Sequence, residues 1–385
     1  MSHDKFARAR SLFPHTEKTV YFNSASYGPF ATTVRDAIKD NLDLRVAADR
    51  DDTGQAMTAA DQLRGTYAKL IGATRSDIGL GFNTSFGINL AAFGLPLKSG
   101  DEVLLIDIEF PALVYTFQAA AEVRGYRVKI IPTTDRRCDF ALLEKAVTKR
   151  TRLIAVSWVQ FFNGYKLDLS ELTEFCRRHR LWLVLDGIQG MGVEPINVRR
   201  RGIDIFTSGC QKWMLAPQGS GFFYLSPEMR EVLQPAVASW LGVDWGMDFT
   251  DLFKFDLPWY DSARRFELGY FMVTNLFGMK AAVDIFTDLG VAGIQKHNYA
   301  LIDRLARYVK GSDHYRITCD LSRKHRSSIF TFTCNDVKAL HRRIIKAGII
   351  LSQREGSIRV AAHLFNNEDD IDRLIEVLEE HQRRG

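Results

Sequence analysis

Short apolar runs alternate with helix-like stretches through the first two-thirds of the chain, and no other feature restricts the fold as much. "EVLLIDI" (102–108) precedes a helical stretch over about 112–123, and "RVKIIPT" leads to a helix near Phe140 to Val147. "RLIAVSWV" (152–159) precedes "LSELTEFCRRH", where Leu169, Leu172, Phe175 and Cys176 fall on one helical face. "LWLVLD", "DIFTSG" and "GFFYL" supply three more apolar strands. Continuous apolar strands joined by helices mean crossover connections and a mostly parallel sheet covered on both faces, an α/β fold. After about Pro258 the pattern changes to helices (roughly 274–287 and 291–309, another near 337–347, and one closing the chain) with the short strands "YRITC", "SSIFTFT" and "SIRVAA". This predicts a large domain over 31–258, a smaller α+β domain over 259–385, and a segment 1–30 that packs on the small one.

A length of 385 residues suits that two-part plan, and 46% hydrophobic residues can fill the core. The net charge of +5 is mild and scattered apart from "RRR" at 199–201 and the arginines at 383 and 384, so we expect solvated faces and no nucleic-acid partner. Five cysteines without paired spacing predict neither a disulfide framework nor a metal site. No apolar run reaches the ~18 residues of a membrane span, and "MSHDKFARAR" lacks a signal-peptide core, which predicts a cytoplasmic protein without a membrane partner.

In an open parallel sheet, ligands gather outside the carboxyl ends of the strands. "LVLDGIQG" (183–190) delivers Asp186 to such a rim, where an unpaired carboxylate is costly and calls for a cation. Lys212 follows 26 residues later in "TSGCQKWMLAPQGSGFFYL", between two apolar strands. On position alone it could equally be a surface turn lysine. Upstream, "GFNTSFGINLAAFG" sets Asn83, Thr84, Ser85 and Gly87 where a strand yields to an apolar helix. Small polar residues there suit an ordinary N-cap, or an anion held by free amides and the helix dipole. Neither GxGxxG nor GxxxxGK[ST] is present, which argues against a nicotinamide-dependent oxidoreductase. Anion cradle, buried acid and lysine together meet the needs of pyridoxal phosphate: amides for the phosphate, an acid for the ring nitrogen and an amine for the aldehyde.

Six motifs in order then carry a resemblance. "VYFNSASYGPF", "NTSFGINL", "VLDGIQGMG", "GCQKWMLAPQGSGFFYL", "RFELGYFMVTN" and "SIRVAAHLFNNEDDIDRL" resemble those of the class V aminotransferase family of fold-type I pyridoxal-phosphate enzymes. That family includes cysteine desulfurases and isopenicillin N epimerase. The resemblance implies that Lys212 forms the Schiff base with the cofactor, Asp186 pairs with the pyridinium and Gln189 bonds the phenolic oxygen. It puts Thr84, Ser85, Ser208 and Gln211 on the phosphate, with Tyr270 at the position of a threonine that reaches the partner subunit's phosphate in relatives. Phe110 stands where many relatives carry a ring-stacking histidine, although core packing would serve it equally well. Arg359 would receive the substrate's α-carboxylate, and the protein would be a homodimer.

Departures accompany the likeness. Gln160 and Asn163 are both candidates for a usual asparagine. Where desulfurases carry a mobile nucleophilic cysteine, "GIILSQREGSIR" offers Ser352 and no thiol, which leaves Cys210 as the cysteine expected nearest the site. The expected activity is Cα chemistry on an amino acid, by epimerisation or transamination. The alternatives are a C–S lyase or desulfurase-like enzyme without the loop cysteine, and a non-catalytic cofactor-binding protein.

Overall fold

The computed structural model describes residues 2–48, 53–246, 248–269 and 272–384. Its strands are β1 (Val20–Tyr21), β2 (Ile78–Gly81), β3 (Glu102–Ile106), β4 (Arg127–Ile131), β5 (Thr151–Ser157), β6 (Trp182–Asp186), β7 (Ile205–Gly209), β8 (Gly221–Leu225), β9 (Arg316–Ile317), β10 (Phe330–Thr333), β11 (Ile349–Ile350), β12 (Ser352–Arg354) and β13 (Ser357–Val360). A seven-stranded sheet runs in the order β2-β8-β7-β6-β5-β3-β4, and β8 alone runs opposite to the other six strands.

The apolar runs give that sheet two cores because successive side chains point to opposite faces. Leu104, Ile106, Ile154, Val156, Leu183 and Leu185 enter one core, while Val103, Leu105, Leu153, Ala155 and Val184 enter the other. A strand buried on both sides has no polar face to show, which is why these segments read as unbroken apolar runs.

A third core lies under the antiparallel sheet β12-β13-β10-β9, with Leu305, Phe330, Phe332, Ile358, Val360 and Leu374 in it. Val20 and Phe22 lie in this core too, and β1 pairs parallel with β11. Helix Val273–Leu289 departs from the expected boundary at residue 259. Its Leu276, Met279, Val283 and Phe286 join the first core, and it packs on helices Thr32–Ala47 and Thr53–Ile71. Its apolar face matches theirs, so by packing the small layer starts with helix Val291–Lys310. Among the described residues no helix is long and apolar enough to cross a membrane.

Candidate active site

The carboxyl ends of β3, β5, β6 and β7 form one rim. Asp186 is the last residue of β6, buried and in register between Ser157 of β5 and Thr207 of β7. Burial pushes its carboxyl up to about 6, against the pull of the Ile188 N–H at 2.9 Å and the Lys212 charge.

Lys212 sits in the loop between β7 and β8, and that loop is fixed from three sides. Gly28 N donates to Gln211 O at 2.8 Å, and Ala216 N donates to Cys210 O at 3.0 Å. His363 accepts from Leu364 N at 2.8 Å through Nδ1, so its Nε2 carries the hydrogen donated to Trp213 O at 2.7 Å. Leu215 holds a left-handed φ of 55°, a conformation that persists in a non-glycine residue only when the surroundings enforce it. Burial draws the Lys212 amine down to about 8; Asp186 opposes this, while Arg359 and Arg354 add to it. Its Nζ lies 5.5 Å from the centroid of Phe110. Phe110 is 43% exposed and meets Phe161 edge-on at 5.2 Å, so it lines the rim and is no part of the cores.

Helix Thr84–Gly94 points its first turn at the same rim. Asn83 caps it through Oδ1, accepting from Phe86 N at 2.9 Å, as expected for an asparagine before an apolar helix. Thr84 Oγ1 accepts from Gly209 N at 2.8 Å, and Thr207 Oγ1 donates to Thr84 O at 3.1 Å, which locks the helix to the end of β7. Gly87 allows that approach, since a Cβ there would lie 2.3 Å from Thr207 Oγ1. Ser85 is half-buried in the first turn, whose amides have no partner within the helix. Ser208 is buried with Oγ donating to Gly209 O at 2.9 Å, and Gln211 has a buried Oε1 without a partner. Tyr270 lies outside the described residues.

Gln189 follows β6 but is committed at both ends of its amide. Nε2 donates to Ala25 O at 3.0 Å and Oε1 accepts from Trp213 Nε1 at 2.8 Å, which leaves one N–H to offer a ligand. Asn163 shapes a turn, with Oδ1 accepting from Tyr165 N at 3.0 Å. Gln160 is fully buried at the rim, and its Oε1 has no partner.

Gln160 leads to a residue that sequence reasoning missed. Its Nε2 donates to Glu109 Oε1 at 3.0 Å, and Ser157 donates to Glu109 through both its N–H and its hydroxyl. Burial raises Glu109 to about 7, and the nearby Asp186 adds to the effect. A carboxylate buried beside the Phe110 corner thus fixes the end of β5 next to Asp186. Its only sequence signal was a glutamate directly after an apolar run.

Arg359 of β13 is 2% exposed, and its guanidinium donates to Ser352 Oγ at 3.1 Å, Ser26 Oγ at 2.6 Å and Phe161 O. No carboxylate of the described residues lies within ion-pair distance. Burial lowers it to about 9, with Arg354 contributing. A buried guanidinium without a counter-ion is costly, and an anion beside it would offset that cost. The cysteines take no comparable place. Cys210 Sγ contacts Tyr67 Oη at 3.3 Å in the first core, and burial raises its thiol to about 12. Cys138 is raised to about 12 and Cys319 to about 11, and Cys176 and Cys334 also rise, all through burial. A surface groove of about 730 Å³ along Arg177, Arg180 and Arg199–Arg201 lies at the amino ends of β6 and β7, opposite to this chemistry.

A lysine amine, an unpaired buried carboxylate, an aromatic face, a helix N-terminus and an arginine without a counter-ion form the donor set that pyridoxal phosphate and an amino acid require. The chain belongs to the class-V aminotransferase family, whose model matches residues 20–374, and the family is one of pyridoxal-phosphate-dependent enzymes. It is 26% identical over 369 residues to the uncharacterized aminotransferase YcbU of Bacillus subtilis, covering 95% of each chain. It is 25% identical to isopenicillin N epimerase of Streptomyces clavuligerus, covering 97% of each. Its fold matches the solved cystine C–S lyase C-DES in complex with cysteine persulfide, with a TM-score of 0.86 at 23% identity over 95% of this chain and 98% of that one.

Proposed function

We propose that this protein is a pyridoxal-phosphate enzyme acting at Cα of an amino acid, as a cytoplasmic homodimer, without a persulfide relay. The observation that carries the reading is the meeting of Lys212, Asp186 and a counter-ion-free Arg359 at one rim. Pyridoxal phosphate, when bound, supplies an electron-withdrawing ring that acidifies the Cα proton. Lys212 would provide the amine that holds the cofactor's aldehyde, and its Nζ is the group that would take and return the Cα proton. An amine drawn down to about 8 is well matched to that exchange near neutral pH. Asp186 would pair with the ring nitrogen and favour its protonated form, in a buried setting that strengthens such a pair. Thr84, Ser85, Ser208 and Gln211 would hold the phosphate at the helix N-terminus, Gln189 would offer its remaining N–H, and Phe110 would exclude water beside Lys212. Arg359 binds the α-carboxylate through its planar fork.

The absence of a relay rests on the thiols. A desulfurase must present a thiolate to the substrate's sulfur, and every cysteine here is raised by burial, while Ser352 is hydrogen-bonded to Arg359. Direct C–S lysis, the activity named for C-DES, needs no such thiolate and stays compatible with this site beside epimerisation and transamination. Support for the dimer comes from the 249–259 stretch, where Phe253 and Phe255 are 91% and 90% exposed and Phe249, Leu252 and Trp259 are also exposed.

Solvent-deuterium exchange at Cα across an amino-acid panel tests the activity, and persulfide trapping after incubation with cysteine tests the relay. We expect exchange with at least one amino acid and no trapped persulfide. No exchange with any amino acid would point to a non-catalytic cofactor-binding protein, and a persulfide on any cysteine would restore the desulfurase reading.

A further inference from the structure

The hairpin that carries Arg359 carries a second guanidinium. In the antiparallel pair β12–β13, Ser352 faces Arg359 and Arg354 faces Ser357. Alternate residues of a strand share a face, so Ser352, Arg354, Ser357 and Arg359 point the same way and Arg354 is the diagonal neighbour of Arg359. Ser352 and Arg359 bond on that face, and from it Arg359 reaches Ser26 and Phe161 at the rim.

The hairpin backbone that carries Arg354 is fixed, and its side chain is exposed. The two turn residues, Glu355 at φ 45° and Gly356 at φ 76°, both adopt the left-handed conformation of a tight two-residue hairpin. Thr333 Oγ1 also donates to Gly356 O at 2.8 Å, which fastens the turn to β10. The Arg354 guanidinium donates to the backbone carbonyl of Gln353 at 2.9 Å, and no carboxylate of the described residues lies within ion-pair distance. Other arginines of this layer, Arg304 and Arg326, do pair with Asp372 and Asp303. The charge of Arg354 is felt by both Lys212 and Arg359, so it lies within electrostatic reach of the reacting centre. Two like charges on neighbouring positions of one sheet face repel, and an anion spanning both relieves that repulsion.

We propose that Arg354 receives a second anionic group on the substrate, so that the enzyme acts on amino acids with a side-chain carboxylate. This rests on the reading that Arg359 takes the α-carboxylate. Arg359, buried, then supplies affinity for any amino acid, and Arg354, at the mouth, supplies the choice among them. Neutral amino acids leave Arg354 facing solvent and gain nothing from it.

Calorimetric binding of unreactive acids to the purified holoenzyme at low salt tests this without turnover. Glutarate and succinate serve as dicarboxylate probes and butyrate as the monocarboxylate. We expect the better dicarboxylate to bind about tenfold tighter than butyrate, the gain of one partly exposed charge-assisted pair. Arg354→Gln should remove that preference, Arg354→Lys should keep part of it, and Arg359→Gln should weaken both kinds of acid. Equal affinity for both kinds in the wild type, or a preference that survives Arg354→Gln, overturns the proposal. Borohydride labelling of Lys212 in the same preparation separates the two failures. A label with equal affinities refutes the acid preference alone, whereas no label refutes the site on which it rests.

Discussion

Asp186 and Glu109 are two buried carboxylates, and the charge of Asp186 adds to the cost that burial puts on ionising Glu109. Asp186 titrates near 3.8 in an unfolded chain and is raised to about 6 in the fold, so its contribution is most favourable below about pH 4 and is lost as pH rises through 6. Glu109 acts in the same direction between its ordinary range and about 7. We therefore predict that these two carboxyls subtract stability from the cofactor-free protein between about pH 4 and 7, against His363, whose imidazole burial draws down to about 3 and which adds stability as pH rises toward 6.5. Asp186→Asn keeps the acceptor for the Ile188 N–H and removes the charge, so it should flatten this loss by roughly 2–4 kcal/mol. Urea unfolding of both proteins at pH 4.5 and 7.5 checks it, and parallel pH profiles would contradict it. The sequence disclosed Asp186 and Lys212 because an acid ending an apolar strand and a lysine between two such strands are unusual. Glu109 stayed hidden because its partners, Ser157 and Gln160, come from β5 and the residues after it, and only folding joins them.

Element packing places Glu267 in a comparable way. It is fully buried and accepts from Arg64 Nε at 2.8 Å and Arg64 Nη2 at 2.6 Å, and from Leu80 N at 2.8 Å. The outer edge of β2 would otherwise leave that N–H without a partner, so Glu267 ties helix Thr53–Ile71 and the edge strand to its own segment. Replacing one member of such a pair leaves the other charge buried, and Glu267→Gln should destabilise the protein by about 3–5 kcal/mol. Denaturant titration tests this, and a loss under 1 kcal/mol would show that the pair matters little. Strands β3 and β5 to β8 could be read from sequence because burial on both faces leaves a long apolar signal, while the edge strand β4, with Arg127 and Ile130 exposed, showed through Val128, Ile130 and Ile131. The two-residue β1 and β11, and the three-residue β12, carry too few residues for any periodicity to show. Helix Thr53–Ile71 buries small residues such as Ala56, Ala59 and Ala60, and helix Thr32–Ala47 buries Val34 and Asn41, patterns too weak to stand out in the sequence.

At the scale of the whole molecule, the 249–259 stretch exposes more aromatic surface than a lone chain in water retains at little cost. If two copies meet there, the double change Phe253→Ser and Phe255→Ser removes two side chains worth about 2 kcal/mol each and raises the dimer dissociation constant by on the order of a hundredfold or more. Sedimentation across a concentration series reads this directly, and an unshifted equilibrium would place the interface elsewhere. The same fold brings the β7–β8 loop, the Phe110 corner and the Arg359 hairpin together from distant parts of the chain, around Lys212. Borohydride reduction of the purified holoenzyme, followed by peptide mapping, tests the central place of Lys212 most directly. A reduced pyridoxyl label is expected on Lys212 and none after Lys212→Ala; a label on any other lysine of the native protein would overturn the assignment of Lys212.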